Sequence, residues 1–272
     1  MTYAEFLAVF ICIPIAGLLI VHLVFYRKDK LSKFSIYQPH FWGILTLLIF
    51  VALVYTTPWD NYLIATHVWW YSPHLIQGIF FGWAPLEEYL FFCLQTILIA
   101  LWLPIAVSWS AIDNSENLQV SGKLAWGFAI VLGIIWSFAG VLLLRHYLTG
   151  TYLGFEIIWG LPPIILQIIV GKSILWSYRY TLLLTIIPVT LYLSVTDAYA
   201  IHTGIWTINP ARSLHWLIGN VLPIEESIFF LLTTILVCFG MILGAVIQQK
   251  AVLARPQSFN SSYKKNMNEV IG

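Results

Sequence analysis

The chain has 272 residues, of which 60% are apolar or aromatic and only 9% charged, with a formal net charge of +1. A soluble domain uses roughly a quarter charged residues to cover its surface. A water-facing globule is therefore excluded, the outer surface must face lipid, and no basic run suits a nucleic acid.

A bilayer core of roughly 30 Å needs about 20 apolar residues per helix. Seven stretches approach or exceed this length: 4–26, 41–57, 79–106, 124–146, 153–171, 179–196 and 217–247. The first lacks a basic leader and a small-residue cleavage site, so it reads as a retained span rather than a signal peptide. Arg27, Lys28, Lys30, Lys33, Lys123, Lys172, Arg179, Lys250, Arg255, Lys264 and Lys265 fall on one side of these spans, and Arg145 and Arg212 on the other. That asymmetry places the N-terminus outside and the C-terminus in the cytoplasm, and the expected setting is a prokaryotic cell membrane. From Gln248 onward the chain reads as a polar tail.

The third and seventh apolar stretches are longer than a bilayer requires, running from about Leu75 to Val107 and from about Trp216 to Ile247. Each holds a proline, Pro85 or Pro223, near the end of its first third. Proline lacks a backbone donor and either starts a helix or kinks it. Backbone groups freed in this way at membrane depth are tolerated only against protein or a cavity.

The two halves repeat. Asp60, Tyr62 and Trp69 coincide with Asp197, Tyr199 and Trp206 at an offset of 137. After a one-residue shift, Pro85-Leu-Glu87-Glu88-x-x-Phe91-Phe92 matches Pro223-Ile-Glu225-Glu226-x-x-Phe229-Phe230. Upstream, Thr2-Tyr3, Phe6 and Pro14 match Thr151-Tyr152, Phe155 and Pro163. The expected fold class is an all-α integral membrane protein of about seven transmembrane helices, two parallel three-helix repeats joined by one linking helix. Repeats offset by four spans run the same way through the membrane, related by a pseudo-two-fold axis along its normal. The first repeat covers 1–110, the linker with its helix 111–150, the second repeat 151–247 and the tail 248–272.

The repeat gathers acids at the outer side: Glu5, Asp60, Glu87, Glu88, Glu156, Asp197, Glu225 and Glu226. Carboxylates in an apolar setting are costly, and those present mark functional sites or pairs. Glutamate in a first turn behind proline is also good capping, but two adjacent glutamates in each repeat exceed what capping needs. Neighbouring helical side chains point about 100° apart, so one glutamate can face a cavity while the other pairs elsewhere. Burial and crowding favour the protonated form of a carboxyl group, as a general acid acting on an alkene requires. Trp59, Trp69, Trp70, Tyr71 and Trp83 fit an ordinary interfacial belt. Beside carboxylates, however, the faces of Trp69 and Trp206 can stabilise a cation. Neither the seven histidines nor Cys12, Cys93 and Cys238 show metal-ligand spacing, so no metal site is expected.

The doubled Pro-x-Glu-Glu motif, each copy preceded by an Asp-to-Trp segment, resembles the heterodimeric-type lycopene cyclases of carotenoid synthesis. Their two three-span subunits occur separately or fused; this chain resembles the fused form over roughly residues 1–245. The resemblance implies non-redox cyclisation of the ends of lycopene taken from the bilayer, with β-ring formation the leading expectation. It implies Glu88 and Glu226 as principal acids, Glu87 and Glu225 as partners tuning or sharing the proton, and Asp60 and Asp197 as supporting groups. Trp69, Trp206, Pro85, Pro223, Phe92 and Phe230 are the implied substrate-binding residues. Membrane lipid and other carotenoid-pathway enzymes are the further partners.

No Gly-x-Gly-x-x-Gly follows a strand, so no nucleotide cofactor and no tightly bound flavin is expected. An intramembrane protease with a Glu-Glu-x-x-x-Arg motif is disfavoured because both copies lack the arginine. A diphosphate-using prenyltransferase lacks its Asp-rich motifs, and a retinal receptor its lysine in the last span. A proton-coupled carrier is the non-enzyme alternative, and an ε-ring or C50 cyclase the alternative within the resemblance.

Overall fold

The computed structural model describes residues 1–26, 32–110 and 122–253, and among them seven helices are long and apolar enough to cross a membrane. In chain order they are α1 (Tyr3–Val24), α2 (Pro39–Ala65), α3 (Leu86–Trp109), α4 (Gly122–Leu144), α5 (Thr151–Ser177), α6 (Arg179–His202) and α7 (Ile224–Leu253). A capping box of Thr2 and Glu5 starts α1, satisfying two otherwise orphaned backbone donors. Helix α3 lies at the centre, packed against α1, α2, α6 and α7, whereas α4 covers α5 and presents Phe128, Ile134, Phe138 and Leu144 outward.

Two expected spans begin late. The stretches at 79–85 and 217–223 are apolar enough to be read as helix, yet they form hairpins: β2 (Phe80–Phe81) with β3 (Ala84–Pro85), and β5 (Leu217–Ile218) with β6 (Leu222–Pro223). Pro85 is the extended N-cap of α3, at φ −70° and ψ 157°, so its ring ends the hairpin and opens the helix. The first helical amides turn back onto the hairpins, Leu86 N–H to the Ile79 carbonyl at 2.8 Å and Ile224 N–H to that of Trp216 at 2.9 Å. Three other spans end later than expected, α5 among them, which reaches Ser177. Helix α2 runs through Pro58 to Ala65 and α6 on to His202, so Asp60 and Asp197 lie within helices. Helix α7 also continues past Gln248 to Leu253; the rest of the expected tail lies outside the described residues.

Helices α2 and α6 end alike. Val68 N–H reaches the Leu63 carbonyl at 2.9 Å and Ile205 N–H that of Ala200 at 3.0 Å, the long bond of a Schellman cap. The residue between is left-handed in both, His67 at φ 56° and Gly204 at φ 73°. Each cap aims a strand at the other half. Strand β1 (Trp69–Tyr71) pairs antiparallel with β4 (Trp206–Ile208) in the register Trp69 with Ile208, Trp70 with Thr207, and Tyr71 with Trp206. Exchanging the halves at the offset of 137 turns the first pair into the last and keeps the middle one. The flanking bonds exchange too: Ser72 N–H to Ile205 at 3.0 Å and Asn209 N–H to Val68 at 2.8 Å. The contact between the halves is thus isologous, as in a two-fold dimer.

Small residues let helices close in. A Cβ added at Gly240 on α7 meets Leu48 of α2 at 2.6 Å, and one at Gly244 meets Ile44 at 3.0 Å, a small-xxx-small seam. Gly240→Leu is expected to cost the fold about 1–3 kcal/mol by overpacking. Gly43→Leu, where an added Cβ meets nothing within 4 Å, is expected to leave it unchanged. Thermal unfolding of detergent-solubilised protein checks both.

Candidate active site

Between the two halves lies a small, tightly walled cavity. Helix α1 contributes Tyr3, α2 Trp59 and Asp60, β1 Trp69 and Tyr71, and α3 Glu88, Phe91 and Phe92. The second half contributes Tyr152, Asp197, Trp206, Ile208, Glu226, Phe229 and Phe230. Among the described residues, no lysine or arginine lines the cavity. The residues are carboxylic acids, phenols and aromatic or apolar walls.

The glutamate pairs divide as the helical geometry requires. Because α3 and α7 start at the residue after the hairpin proline, both glutamates of each pair occupy the first turn. Glu88 and Glu226 face the cavity. Glu87 and Glu225, almost wholly buried, face the loops instead: Glu87 Oε1 accepts from the Gln77 amide at 2.6 Å and Glu225 Oε1 from the Leu214 amide at 2.7 Å. These two brace the approach to each hairpin and do not line the cavity. Pro85 and Pro223 likewise stay out of the lining and fix where the helices begin.

Phenols hold the cavity-facing glutamates. Tyr3 and Tyr71 both donate to Glu88 Oε2, at 2.8 and 2.7 Å, and Tyr152 donates to Glu226 Oε1 at 2.8 Å. Burial, and then the charge of Glu88, hold the Tyr71 phenol well above its ordinary pKa, so it remains a donor at neutral pH. The Trp69 indole N–H in turn donates to the Tyr71 hydroxyl at 3.1 Å. The second half differs here. Ile208 stands where the repeat places Tyr71, leaving Glu226 with one phenol, and the Trp206 indole lies beside Asp197 instead. Among the described residues, both oxygens of the buried Asp60 lack a hydrogen-bond partner, as do both of Glu156, one turn beyond Tyr152 on α5. Glu156 is buried outside the cavity lining.

The walls are stacked rings. Trp59 lies 5.0 Å from Trp159 and 5.9 Å from Phe229, the latter ring nearly parallel at 4°. Trp206 packs on Tyr3 at 5.0 Å and edge-on to Phe6 at 5.3 Å. Such faces attract a cation formed between them.

Of the residues expected from sequence, Glu88, Glu226, Asp60, Asp197, Trp69, Trp206, Phe92 and Phe230 meet in this cavity. Tyr3 and Tyr152 were visible as coincident positions of the repeat, but their bond to glutamate needs the fold. Trp59 and Tyr71 were indistinguishable from an interfacial belt. Phe91 and Phe229 belong to the motif as well, and they line the same cavity. Removing the Tyr71 hydroxyl takes away a donor of the kind that contributes about 1.5–3 kcal/mol to a charged acceptor. Tyr71→Phe, which keeps the ring, is therefore expected to lower turnover at least about tenfold. Product formation by equal amounts of solubilised protein measures it.

The lycopene cyclase family matches residues 5–106 and 151–246. A lycopene beta-cyclase of Halobacterium salinarum is 36% identical over 90% of this chain and 96% of its own length. Bifunctional lycopene cyclase/phytoene synthases of Leptosphaeria maculans and Podospora anserina are 33% and 34% identical over 82% and 84% of this chain, which spans 38% of each. No solved structure matches. With two matched segments that cover most of its length and together line one acid-bearing cavity, the chain belongs to the lycopene cyclase family, a membrane-embedded carotenoid cyclase.

Proposed function

We propose that the chain closes β rings at the ends of lycopene, with Glu88 and Glu226 handling the proton. The observation carrying this reading is the pair of tyrosine-bonded carboxyl groups facing one aromatic-walled cavity in a chain that is similar to a lycopene beta-cyclase. A carboxylic acid gives its proton to the terminal double bond and leaves a tertiary cation. The neighbouring double bond attacks that cation, forming the ring bond and moving the positive charge onto the ring. A carboxylate then takes a ring proton, and the double bond re-forms. One proton enters and one leaves, so substrate and product are isomers and no electrons are exchanged. That no Gly-x-Gly-x-x-Gly motif occurs supports a reaction without a tightly bound flavin or nicotinamide. Trp59, Trp69 and Trp206 offer their faces to the cation, and Asp60 and Asp197 support the charge balance. Proton transfer by positioned carboxyl groups typically contributes about 10²–10⁴-fold, and a cavity closed to water protects the cation from hydrolysis.

Repeats 1–110 and 151–247 act as halves of one site on this reading, supported by the self-symmetric register of β1 with β4. The N-terminus lies outside and the C-terminus in the cytoplasm of a prokaryotic membrane, supported by the distribution of lysine and arginine along the sequence. Association with other enzymes of the same pathway is supported by the fungal relatives, whose names join a cyclase and a synthase in one chain.

The test is expression in a host that accumulates lycopene, followed by chromatography of the extracted pigment. A β-ring carotenoid is the expected product. Unchanged lycopene beside well-inserted protein overturns the reading in favour of a carrier, and an ε-ring product overturns the ring assignment.

A further inference from the structure

The outer surface carries two clefts that the repeat makes equivalent. One runs between α2 and α5 with α3 and α7 as its floor, lined by Val51, Ala52, Tyr55, Pro163 and Leu236 among others. The other runs between α1 and α6 and is lined by Pro14, Leu18, Leu98, Pro188, Val189 and Tyr192. Tyr55 and Tyr192 correspond at the offset of 137, and Pro163 and Pro14 at 149. Each tyrosine ties its cleft with an equivalent bond, Tyr55 to the Trp159 carbonyl at 2.8 Å and Tyr192 to that of Phe10 at 2.6 Å.

The clefts differ in what lies behind them. The α2–α5 cleft shares Phe92 and Phe229 with the central cavity. Among the described residues, the α1–α6 cleft shares no lining with that cavity. Behind it Phe6, Phe10, Tyr199 and Trp206 form a continuous run of ring contacts. The α2–α5 cleft has its stack of Trp59, Trp159 and Phe229 along the junction itself, and Trp59 corresponds to Thr196 in the other half. Most of its polar groups turn to protein: Gln95 donates to Thr233 at 2.6 Å, Thr96 to the Phe92 carbonyl at 2.8 Å and Gln167 to the Leu236 carbonyl at 3.2 Å, while Gln167 Oε1 has no partner among the described residues. The surface left for a ligand is mainly hydrocarbon and aromatic, and Val51 and Tyr55 open it to the lipid side.

We propose that the cleft between α2 and α5 is the portal and seat of the linear polyene, one of whose ends passes between Phe92 and Phe229 into the cavity, and that the equivalent cleft between α1 and α6 is not used. This inference rests on the proposed function and adds the path of its substrate. The occupant is an acyclic, methyl-bearing conjugated hydrocarbon rather than a polar ligand, because the shared Phe92 and Phe229 set an apolar cleft directly against the acid-bearing cavity and the reaction it serves. From Leu48 to Thr56 the cleft follows α2 for about 12 Å at 1.5 Å per residue, so it holds part of a long polyene while the remainder stays in lipid. A single portal to a single cavity means that the two ends react in turn, the half-cyclised molecule withdrawing and re-entering by its other end.

The test compares bulk added to the two clefts. Val51→Trp and Ala52→Trp fill the α2–α5 cleft from partly or fully exposed positions, and Gly17→Trp fills the other, where an added Cβ meets nothing within 4 Å. All are expressed in full length in the lycopene-accumulating host and scored per amount of membrane-inserted protein, with Val51→Phe and Gly17→Phe repeating the comparison where tryptophan lowers that amount. Val51→Trp and Ala52→Trp are expected to lower conversion by about a hundredfold, the scale of a lost substrate position, with Gly17→Trp close to the parent. Equal conversion by all variants, or loss confined to Gly17→Trp, overturns the portal while the parent's own conversion upholds the function. A parent that leaves lycopene unchanged overturns the function and the portal with it.

Discussion

Glu88→Gln and Glu226→Gln are each expected to lower formation of both rings by roughly 10²–10⁴, the contribution of a positioned proton-transfer group. Glutamine nearly matches glutamate in shape and keeps an acceptor oxygen for the phenols of Tyr3, Tyr71 or Tyr152, so the walls of the cavity stay where they are. What it loses is the capacity to give or take a proton. Because both carboxyl groups line the same cavity, neither variant is expected to retain a working half. Chromatography of pigment separates two outcomes here. Lycopene left in both variants supports one shared site. Near-normal cyclisation in each single variant, lost only in the double, points to two independent sites and overturns the shared cavity as the catalytic unit.

The neighbouring pair is expected to behave in the opposite way. Glu87→Gln and Glu225→Gln keep an oxygen for the amides of Gln77 and Leu214 and are expected to retain most activity. Glu87→Leu and Glu225→Leu strand a backbone donor, at a cost of about 1–3 kcal/mol when it is buried. The loop it anchors then loses its hold on the hairpin that starts the catalytic helix. Those variants are expected to lose thermal stability and turnover together. The contrast separates bracing from chemistry: at 88 and 226 glutamine is the damaging change, whereas at 87 and 225 it is the tolerated one. A glutamine at 87 or 225 that stops conversion without lowering stability overturns the bracing role and returns these residues to the proton path.

Composition and pattern were enough to determine the membrane class, the seven helices and the repeat, because each rests on local quantities. Span length follows from bilayer thickness, and the coincidence of Asp60 with Asp197 and of Glu87-Glu88 with Glu225-Glu226 is a property of the string itself. The doubled motif also pointed to the family and to most of the residues that line the cavity. Hydropathy misplaced the starts of α3 and α7, since it scores apolar hairpins and apolar helix alike, and the deciding influence was the proline that caps each helix. Which glutamate of each pair faces inward depends on where the first turn begins and what packs on it. That became legible only once the amides of Gln77 and Leu214 were seen to take Glu87 and Glu225. Tyr3 lies 85 residues from the Glu88 it holds, so no local pattern records their bond. The inequality of the two clefts was likewise hidden, because repeat matching records what coincides, and the difference lies in what does not: Trp59 against Thr196, and Tyr71 against Ile208. Sequence periodicity thus sets the elements and their two-fold plan, while contacts between distant side chains decide which carboxyl groups meet the cavity and which cleft leads to it.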